Sequence, residues 1–187
     1  APRDLVPPGW SAAAPILDDV IVRWHEGEAA IADWESATAV IDARQPAGWA
    51  ATVEHLQLIN TFQWHEEDRS RDHAADDAVL AAVKRSIDAS NRRRVQTVDR
   101  LDDMIHAGLV ALGQVNPAAP LNSESPGSIL DRLTVLALKI HHVGEACAAL
   151  AAGPERAAMQ ARLDGLCEQR DDLGRCLDAL LDGIRTG

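Results

Sequence analysis

The chain has 187 residues, of which 47% are hydrophobic, enough apolar material for one domain with a single core. Aromatic residues make up only 3%, so the core must consist mainly of Leu, Ile, Val and Ala, a composition that favours helices over a β-sandwich. The formal charge of −11 argues against nucleic acid as a partner, because a phosphate backbone binds clustered Lys and Arg.

Features that would direct the chain to a membrane or out of the cell are missing from the sequence. The segment from Ala1 to Gly9 lacks the apolar stretch of a signal peptide, and no apolar run approaches the roughly 18 residues needed to cross a bilayer. Cys147, Cys167 and Cys176 lack CxxC spacing and are typical of free thiols in a reducing compartment. We therefore expect a soluble cytoplasmic protein that has no membrane partner.

Proline and glycine divide the chain into segments whose hydrophobic periodicity is helical throughout. We predict an all-α, single-domain antiparallel bundle of about five helices over residues 1–187, with an extended arm at 1–10 and a Pro/Ser-rich loop at 113–127. The predicted helices are Ser11–Arg44, broken near Gly27, then Trp49–Asp72, a long Asp76–Leu112, a central Ser128–Ala151 and Pro154–Ile184. Such long amphipathic helices also permit a homodimer.

Polar residues interrupt the apolar face of the second predicted helix. At about 100° per residue, one face carries Val53, Leu56, Asn60, Trp64, Glu67 and Arg71, with Asp68 at its edge. His65 points to nearly the opposite side from Glu67. The string from His65 to Asp68 therefore does not predict a compact metal site on its own.

The third predicted helix has two polar residues, Asn91 and Arg94, within the arc defined by Ile87 and Val98. Both side chains are therefore expected to point inward. An unpaired buried charge costs several kcal/mol, so Arg94 needs a carboxylate or an anionic ligand. Glu67 on the second helix is the predicted partner.

The fourth predicted helix begins with a polar stretch, residues 122–128, whose exposed backbone N–H groups and helix dipole favour an anion. Ser125 or Ser128 is alternatively the N-cap of that helix. Farther along, one stripe of the helix carries Asp131, His142 and Glu145, and another carries Arg132 and Lys139.

A purely structural interpretation of these residues stays open. Asn91, Arg94 and Glu67 are equally typical of a buried ion-pair network that sets the register of a bundle. A single inward histidine such as His142 is more often a hydrogen-bonded core residue than a catalytic base. The functional interpretation gains weight because three helices and one helix start all direct polar groups inward.

Three stretches of the chain resemble a known bacterial family. Residues 122–142, NSESPGSILDRLTVLALKIHH, are similar to NTETPGSIIDRLSILSLKIYH, and residues 60–71 and 87–99 give supporting matches. The family is the one catalogued as domain of unknown function 4254. Val95, Gln96 and His141 depart from its pattern, where Asn, Asp and Tyr are usual.

The resemblance implies an α-helical bacterial protein, encoded in some bacteria near genes for sugar transfer or envelope polysaccharides, and it implies no established activity. It marks thirteen positions as motif residues: Asn60, Glu67, Asp68, Arg71, Asn91, Arg94, Asn122, Glu124, Ser128, Asp131, Arg132, Lys139 and His142.

Our leading hypothesis is a small intracellular enzyme of a biosynthetic pathway that acts on a polar, anionic or phosphorylated metabolite. Glu67 or Asp68 would act as general base or electrostatic group, His142 as proton donor, and Asp131 as a further catalytic candidate. The predicted substrate-binding residues are Asn60, Arg71, Asn91, Arg94, Asn122, Ser125, Ser128, Arg132 and Lys139.

Two alternatives remain at this point. The sequence demands no cofactor, but a divalent metal bound by Glu67 and Asp68 with His142 or Glu145 would make either an oxygen-rich Mg²⁺ site or a mixed His and carboxylate Fe or Mn site. The lack of paired E-x-x-H motifs counts against a ferritin-like di-iron centre. The other alternative is a non-catalytic helical scaffold or partner of a biosynthetic enzyme.

Overall fold

The computed structural model describes residues 7–71 and 76–186. Within those ranges it contains six α-helices, one 3-10 turn and no strand, so the predicted all-α fold is confirmed. The helices are α1 (Trp10–Gly27), α2 (Trp34–Val40), α3 (Trp49–Arg69), α4 (Asp77–Leu112), α5 (Pro126–Ala149) and α6 (Pro154–Thr186), and the turn is Glu28–Ala30.

The first predicted helical region comprises two helices, which raises the number from about five to six. Helix α1 ends at the predicted break, and the chain restarts at Asp33, whose side chain accepts a hydrogen bond of 2.8 Å from the Ser36 N–H. The Ser36 hydroxyl in turn accepts one from the Asp33 N–H at 2.9 Å, so the two residues form a reciprocal capping box. The predicted arm at 1–10 lies mostly outside the described residues, and Trp10 already belongs to α1.

The two helices that carry most of the predicted site begin at side-chain caps. Asp76 caps α4 by accepting a 2.8 Å hydrogen bond from the Val79 N–H. Ser125 caps α5, and Pro126 at the first helical position has the fixed φ that a helix start requires. Ser125, predicted either to bind substrate or to cap the helix, is therefore the N-cap of α5.

Helices α3 and α5 lie at the centre of the bundle. Helix α3 contacts α1, α2, α4 and α5, and α5 contacts α1, α3, α4 and α6. Helices α3 and α4 run antiparallel, because Thr52 contacts Met104 at one end and Gln63 contacts Asn91 toward the other. The fourth predicted helix, α5, is thus central as expected, and α3 is central as well.

The apolar core has two parts. The larger one joins α1, α3, α4, α5 and α6, and its fully buried members include Leu17, Leu56, Leu101, Leu133 and Leu177. The smaller one lies where α2 covers α1 and α3, and is built from Val20, Trp24, Ala37, Ile41, Leu58 and Phe62. Burial of these side chains supplies most of the free energy that holds the helices together.

The start of α1 is fixed against α6 by a close contact. The Trp10 ring lies directly over Gly174, where an added Cβ would clash with the ring. The Trp10 N–H also donates a 2.6 Å hydrogen bond to the Asp178 carboxylate. Together these contacts set the position of α1, whose other end contributes to the site described below.

Among the described residues, no helix combines the length and the apolar character needed to span a bilayer.

Candidate functional site

A groove of about 490 Å³ lies between α4, α5 and α6, and we call it the cationic groove. Four predicted site residues line it, so the structure brings these four together from two helices. Gln169 of α6 adds an amide, and Val135, Leu136 and Leu173 provide apolar walls. The four predicted residues are Arg94, Asp131, Arg132 and Lys139.

The three cations of the groove differ in how they are paired. Arg132 forms an ion pair with Glu124, with its Nη1 atom 2.9 Å and 2.7 Å from the two carboxylate oxygens. Neither Arg94 nor Lys139 forms an ion pair or a side-chain hydrogen bond with any residue in the described ranges. Arg94 is half-buried and Lys139 is exposed, so both charges are available to a molecule in the groove.

Asp131, the acidic residue of the groove, is hydrogen-bonded to a buried residue of α3. Its Oδ1 atom accepts a 2.9 Å hydrogen bond from the Nδ2 atom of Asn60, which is itself only 5% exposed. The same Nδ2 donates to the buried Thr134 hydroxyl at 2.7 Å. Asn60 therefore orients the carboxylate and ties α3 to α5 without lining the groove itself.

The expected pairing of Arg94 with Glu67 is wrong. Glu67 instead accepts a 3.0 Å hydrogen bond from the Gln63 amide, which also donates to Asn91 at 3.2 Å. Gln63 lies between the two helices, so its neutral amide occupies the position expected for the arginine. Arg94 points toward α5 and α6, where it lines the cationic groove.

Several other predicted residues lie away from the groove. Arg71 and Asp68 form an exposed ion pair of 2.6 Å at the end of α3. Asn122 is exposed and donates to the Glu124 carbonyl oxygen. The N–H and the hydroxyl of Ser128 are both within hydrogen-bond distance of the Ser125 hydroxyl, so the start of α5 uses these groups in its own cap.

A second cavity, of about 500 Å³, lies between α3 and α4 and includes Arg93 and Arg100. No residue predicted for the site lines it. The Arg93 guanidinium is already placed over the Trp34 ring, 4.5 Å from its centroid, in a cation–π contact. This cavity is therefore the weaker candidate, and it provides a matched comparison for the cationic groove.

Histidines from α1 and α5 form a second polar cluster on the α1 side of α5. Each of four residues, His25, His141, His142 and Glu145, offers one ligand atom within 4.8 Å of the others, and we call them the histidine cluster. The His25 ring centroid is 4.3 Å from that of His141 and 5.2 Å from that of His142. His65 of α3 borders the cluster, its centroid 5.8 Å from that of His142.

The proton positions in two of these rings follow from their partners. The His25 Nδ1 atom is 2.8 Å from the Ile21 carbonyl oxygen, which can only accept, so Nδ1 carries the proton and Nε2 the lone pair. The His65 Nδ1 atom is 3.3 Å from the Glu28 carboxylate, which favours the same tautomer. In His25, His65, His141 and His142 the Nε2 atom is buried and makes no hydrogen bond within the part of the chain that the structure describes.

Burial shifts the titration of these imidazoles. Desolvation lowers the pKa of His142, the charges of His25 and His141 lower it further, and the carboxylates of Glu145 and Asp68 oppose the shift. Desolvation also lowers the pKa values of His141 and His65. The shifts favour the neutral rings, which can accept a proton or bind a cation.

Sequence reasoning placed His142 and Glu145 in the site but missed His25, His65 and His141. For His141 the sequence held a local signal, because that residue is adjacent to the predicted site residue His142. No signal within the sequence links His25 to α5, because the two meet only in the folded chain. Of the predicted metal candidates, Glu67 and Asp68 are not members of the histidine cluster.

The fold and these sites define a small all-α protein with a cation-lined groove in an otherwise acidic bundle. The family model described as "Protein of unknown function (DUF4254)" matches residues 50–187, so the chain belongs to that family. None of the curated proteins or solved structures compared with the chain matches it.

Proposed function

We propose that the protein is an enzyme that binds a small anionic metabolite, of the phosphorylated class, in the cationic groove. One observation carries this proposal. Arg94 and Lys139 line the groove without an ion-pair partner among the described residues, in a chain whose net charge is −11. Two uncommitted cations in so acidic a protein favour an anion, which would supply the missing counter-charge.

The size and lining of the groove favour a metabolite over a macromolecule. A volume of about 490 Å³ lies within the range of roughly 300–1,000 Å³ that is typical of small-molecule sites. The guanidinium of Arg94 can bind two oxygens of a phosphate or carboxylate at once, and Lys139 adds a point charge. The Gln169 amide can donate to or accept from a hydroxyl of the same ligand.

Asp131 is the carboxylate best placed to act on the bound molecule. Asn60 holds its Oδ1 atom, and Oδ2 makes no hydrogen bond to the described residues, so Oδ2 would take a substrate proton as general base. Arg94 would stabilise negative charge that develops in the transition state. His142 lies eleven residues farther along α5, about 16 Å along the helix axis, and is therefore not assigned to this groove.

The proposal includes a cytoplasmic location in a bacterium. Its support is that Cys147, Cys167 and Cys176 are all free thiols, as is usual in a reducing compartment. The bacterial origin and the place in a biosynthetic pathway rest on the family resemblance alone.

A non-catalytic scaffold is the competing proposal, and one observation favours it. The bonds from Asn60 to Asp131 and Thr134 would join α3 to α5 equally well in a protein without activity. The two proposals differ in what they require of the groove, because only an enzyme needs it to bind a ligand.

A thermal-shift screen tests the proposal. The panel contains inorganic phosphate, pyrophosphate, nucleotides, sugar phosphates and carboxylic acids, because a ligand of the native state raises the melting temperature. A concentration of 100 times Kd stabilises by about 2.7 kcal/mol, which is easily detected. The enzyme proposal predicts a shift with at least one anion, followed by turnover detectable by mass spectrometry.

Matched variants then locate the binding site. Arg94→Gln and Lys139→Met should each abolish the shift, whereas Arg100→Gln, which removes the same charge from the second cavity, should preserve it. Asp131→Asn can still accept the hydrogen bond from Asn60, so it should retain binding and lose turnover. A panel without any shift would support the scaffold, and a shift that survives Arg94→Gln would contradict binding in the cationic groove.

A further inference from the structure

The histidine cluster is built from two helices that are far apart in the chain. His25 lies in the last turn of α1, and His141, His142 and Glu145 lie on neighbouring turns of α5. One ligand atom from each lies within 4.8 Å of the other three, a spacing that allows all four atoms to reach a single ion.

The nitrogens of this cluster lack the partners that buried polar atoms normally have. Nε2 of His25, His141 and His142 is in each case buried without a hydrogen bond to the described residues, and only His141 Nε2 has a carboxylate nearby, that of Glu145 at 3.4 Å. A buried polar group left unpaired costs about 1–3 kcal/mol, so three in one place require an explanation. A cation bound by one nitrogen of each ring, together with the Glu145 carboxylate that lies 3.4 Å from His141 Nε2, would give this group of buried imidazoles a common partner.

The surroundings resemble the second layer of contacts around known metal sites. The Ile21 carbonyl oxygen accepts the Nδ1 proton of His25, which leaves the Nε2 lone pair for an ion. Metal-binding histidines almost always donate their other ring N–H in this way. The Trp64 ring, stacked on His142 with a centroid distance of 5.2 Å, restricts the rotation of that imidazole.

We propose that His25, His141, His142 and Glu145 bind one divalent transition-metal ion of the Zn²⁺ type. Three imidazoles and one carboxylate favour Zn²⁺, Fe²⁺, Co²⁺ or Ni²⁺ over Mg²⁺ and Ca²⁺, which prefer oxygen ligands. The Glu145 side chain is 60% exposed, so the carboxylate is the ligand that a water or substrate oxygen could replace. His65, with its Nε2 also unpaired, is the nearest further nitrogen.

This site differs from the metal site that the sequence suggested. Glu67 and Asp68 have no place in it, and His25 and His141 replace them. The proposal is independent of the proposed function, because no residue of the histidine cluster lines the cationic groove. The two sites share α5, on which Lys139 and His142 are three residues apart, about 4.5 Å along the helix axis.

Zn²⁺ titration of the metal-free protein, prepared with EDTA, tests the proposal by calorimetry. We expect one equivalent to bind and to raise the melting temperature. His25→Ala and His142→Ala should each weaken binding by about tenfold or more, with His106→Ala on the exposed face of α4 as the matched control. Cys176→Ser, which removes the exposed thiol, should leave the affinity unchanged.

Two further measurements keep the result interpretable if a histidine variant fails to fold. Glu145→Gln replaces an exposed group, so it should fold normally and still weaken Zn²⁺ binding. Co²⁺ in place of Zn²⁺ should give the visible absorption bands of a low-coordinate nitrogen and oxygen site, and these should change in Glu145→Gln. Failure to bind one equivalent, or unchanged affinity in both Glu145→Gln and a folded His142→Ala, would overturn the proposal while leaving anion binding by the metal-free protein untouched.

Discussion

The indole ring of Trp64 lies parallel to the imidazole of His142, with ring centroids 5.2 Å apart and an interplanar angle of 11°. This stacked pair joins α3 to α5 beside the histidine cluster. Trp64 also packs against the main core, so one side chain links the stability of the bundle to the position of a site residue.

Replacing Trp64 should therefore destabilise the protein measurably. Trp64→Leu removes the stacked face and leaves a gap between α3 and α5, so we expect the free energy of unfolding to fall by about 1–2 kcal/mol. Trp64→Phe keeps an aromatic face and should lose less. Urea denaturation of the three proteins gives the comparison, and a Leu variant as stable as the wild type would show that the stack contributes nothing.

The histidines predict a pH dependence of stability in the metal-free protein. Folding lowers the pKa values of His65, His141 and His142 below the ordinary 6.5, so the unfolded chain binds more protons between the two values. The free energy of unfolding should consequently decrease as pH falls from about 7.5 through 6.5. The decrease is at most about 1.4 kcal/mol per pH unit for each extra proton that the unfolded chain binds.

Denaturation curves in EDTA at several pH values measure this slope. His142→Gln should reduce the slope, because one titrating group is gone, whereas His106→Gln on the exposed face of α4 should retain it. Equal slopes in the wild type and His142→Gln would mean that the pKa of His142 is the same in the folded and the unfolded protein.

The buried ion pair between Arg23 and Glu54 should be among the most sensitive positions of the fold. The Glu54 carboxylate, 4% exposed, accepts a 2.6 Å hydrogen bond from Arg23 and further ones from the N–H groups of Arg44 and Gln45. Glu54→Ala removes the buried partner of Arg23 and the acceptor of the Arg44 and Gln45 N–H groups, while Asp19 still pairs with Arg23 at 2.7 Å, so the variant should lose about 3 kcal/mol.

The exposed pair of Lys84 and Asp88 provides the control for that loss. Both side chains are largely in solvent, so Lys84→Ala should change the free energy of unfolding by less than about 1 kcal/mol. Thermal or urea unfolding distinguishes the two cases. Similar losses of unfolding free energy in Glu54→Ala and Lys84→Ala would contradict the expectation that the buried pair contributes more to stability.

Asn60→Asp tests the contact that orients Asp131. The substitution replaces the amide that donates to Asp131 with a second carboxylate, at a position only 5% exposed. Desolvation and repulsion should raise the pKa of the new acid, so the variant should lose about 3 kcal/mol at pH 7 and recover part of it as pH falls toward 5.

Asn116→Asp is the matched substitution for that experiment. Only the side-chain oxygen of Asn116 is used, as acceptor from the Ala118 N–H, and aspartate can accept the same bond at this exposed position. Its unfolding free energy should stay close to that of the wild type at both pH values. A stable Asn60→Asp variant would show that Asn60 does not hold Asp131 in the way described.

The helices and their ends were predictable because their signals are local. Ser125 was one of two N-cap candidates for α5, which begins two residues before the predicted Ser128, and Asp76 stood at the predicted start of α4, where it is the N-cap. The break at Gly27 was also predicted, although the separate helix α2 was not. Its capping box, Asp33 with Ser36, departs from the usual Ser/Thr-x-x-Glu/Gln pattern, and the helix that it begins has 7 residues, fewer than two full turns of hydrophobic periodicity.

The groove was predictable in part. Helical periodicity turned Arg94 away from solvent and placed Arg132 and Lys139 on one stripe of α5, and all three line the groove. Periodicity does not determine which neighbouring helix a side chain meets, however. The bridging amide of Gln63 therefore took the place that had been assigned to Arg94.

The histidine cluster depends on tertiary structure. His25 reaches α5 because α1 packs against α3 and α5 and is held at its start by the contacts of Trp10 with Gly174 and Asp178. Those residues are more than 160 positions apart in the chain, and no periodic pattern in a single sequence connects them. The adjacent histidines of α5 were the only part of the cluster with a local signal.

Chemical-shift mapping of the groove tests the central claim most directly. The side-chain Nε–H signal of Arg94 and the backbone amide signals of residues 131–139 are recorded by NMR while inorganic pyrophosphate is added to the metal-free protein. The account predicts saturable shifts confined to these signals and to Gln169. Shifts centred on Arg93 and Arg100 instead, or no saturable shift for pyrophosphate or for any anion that stabilises the protein, would contradict it.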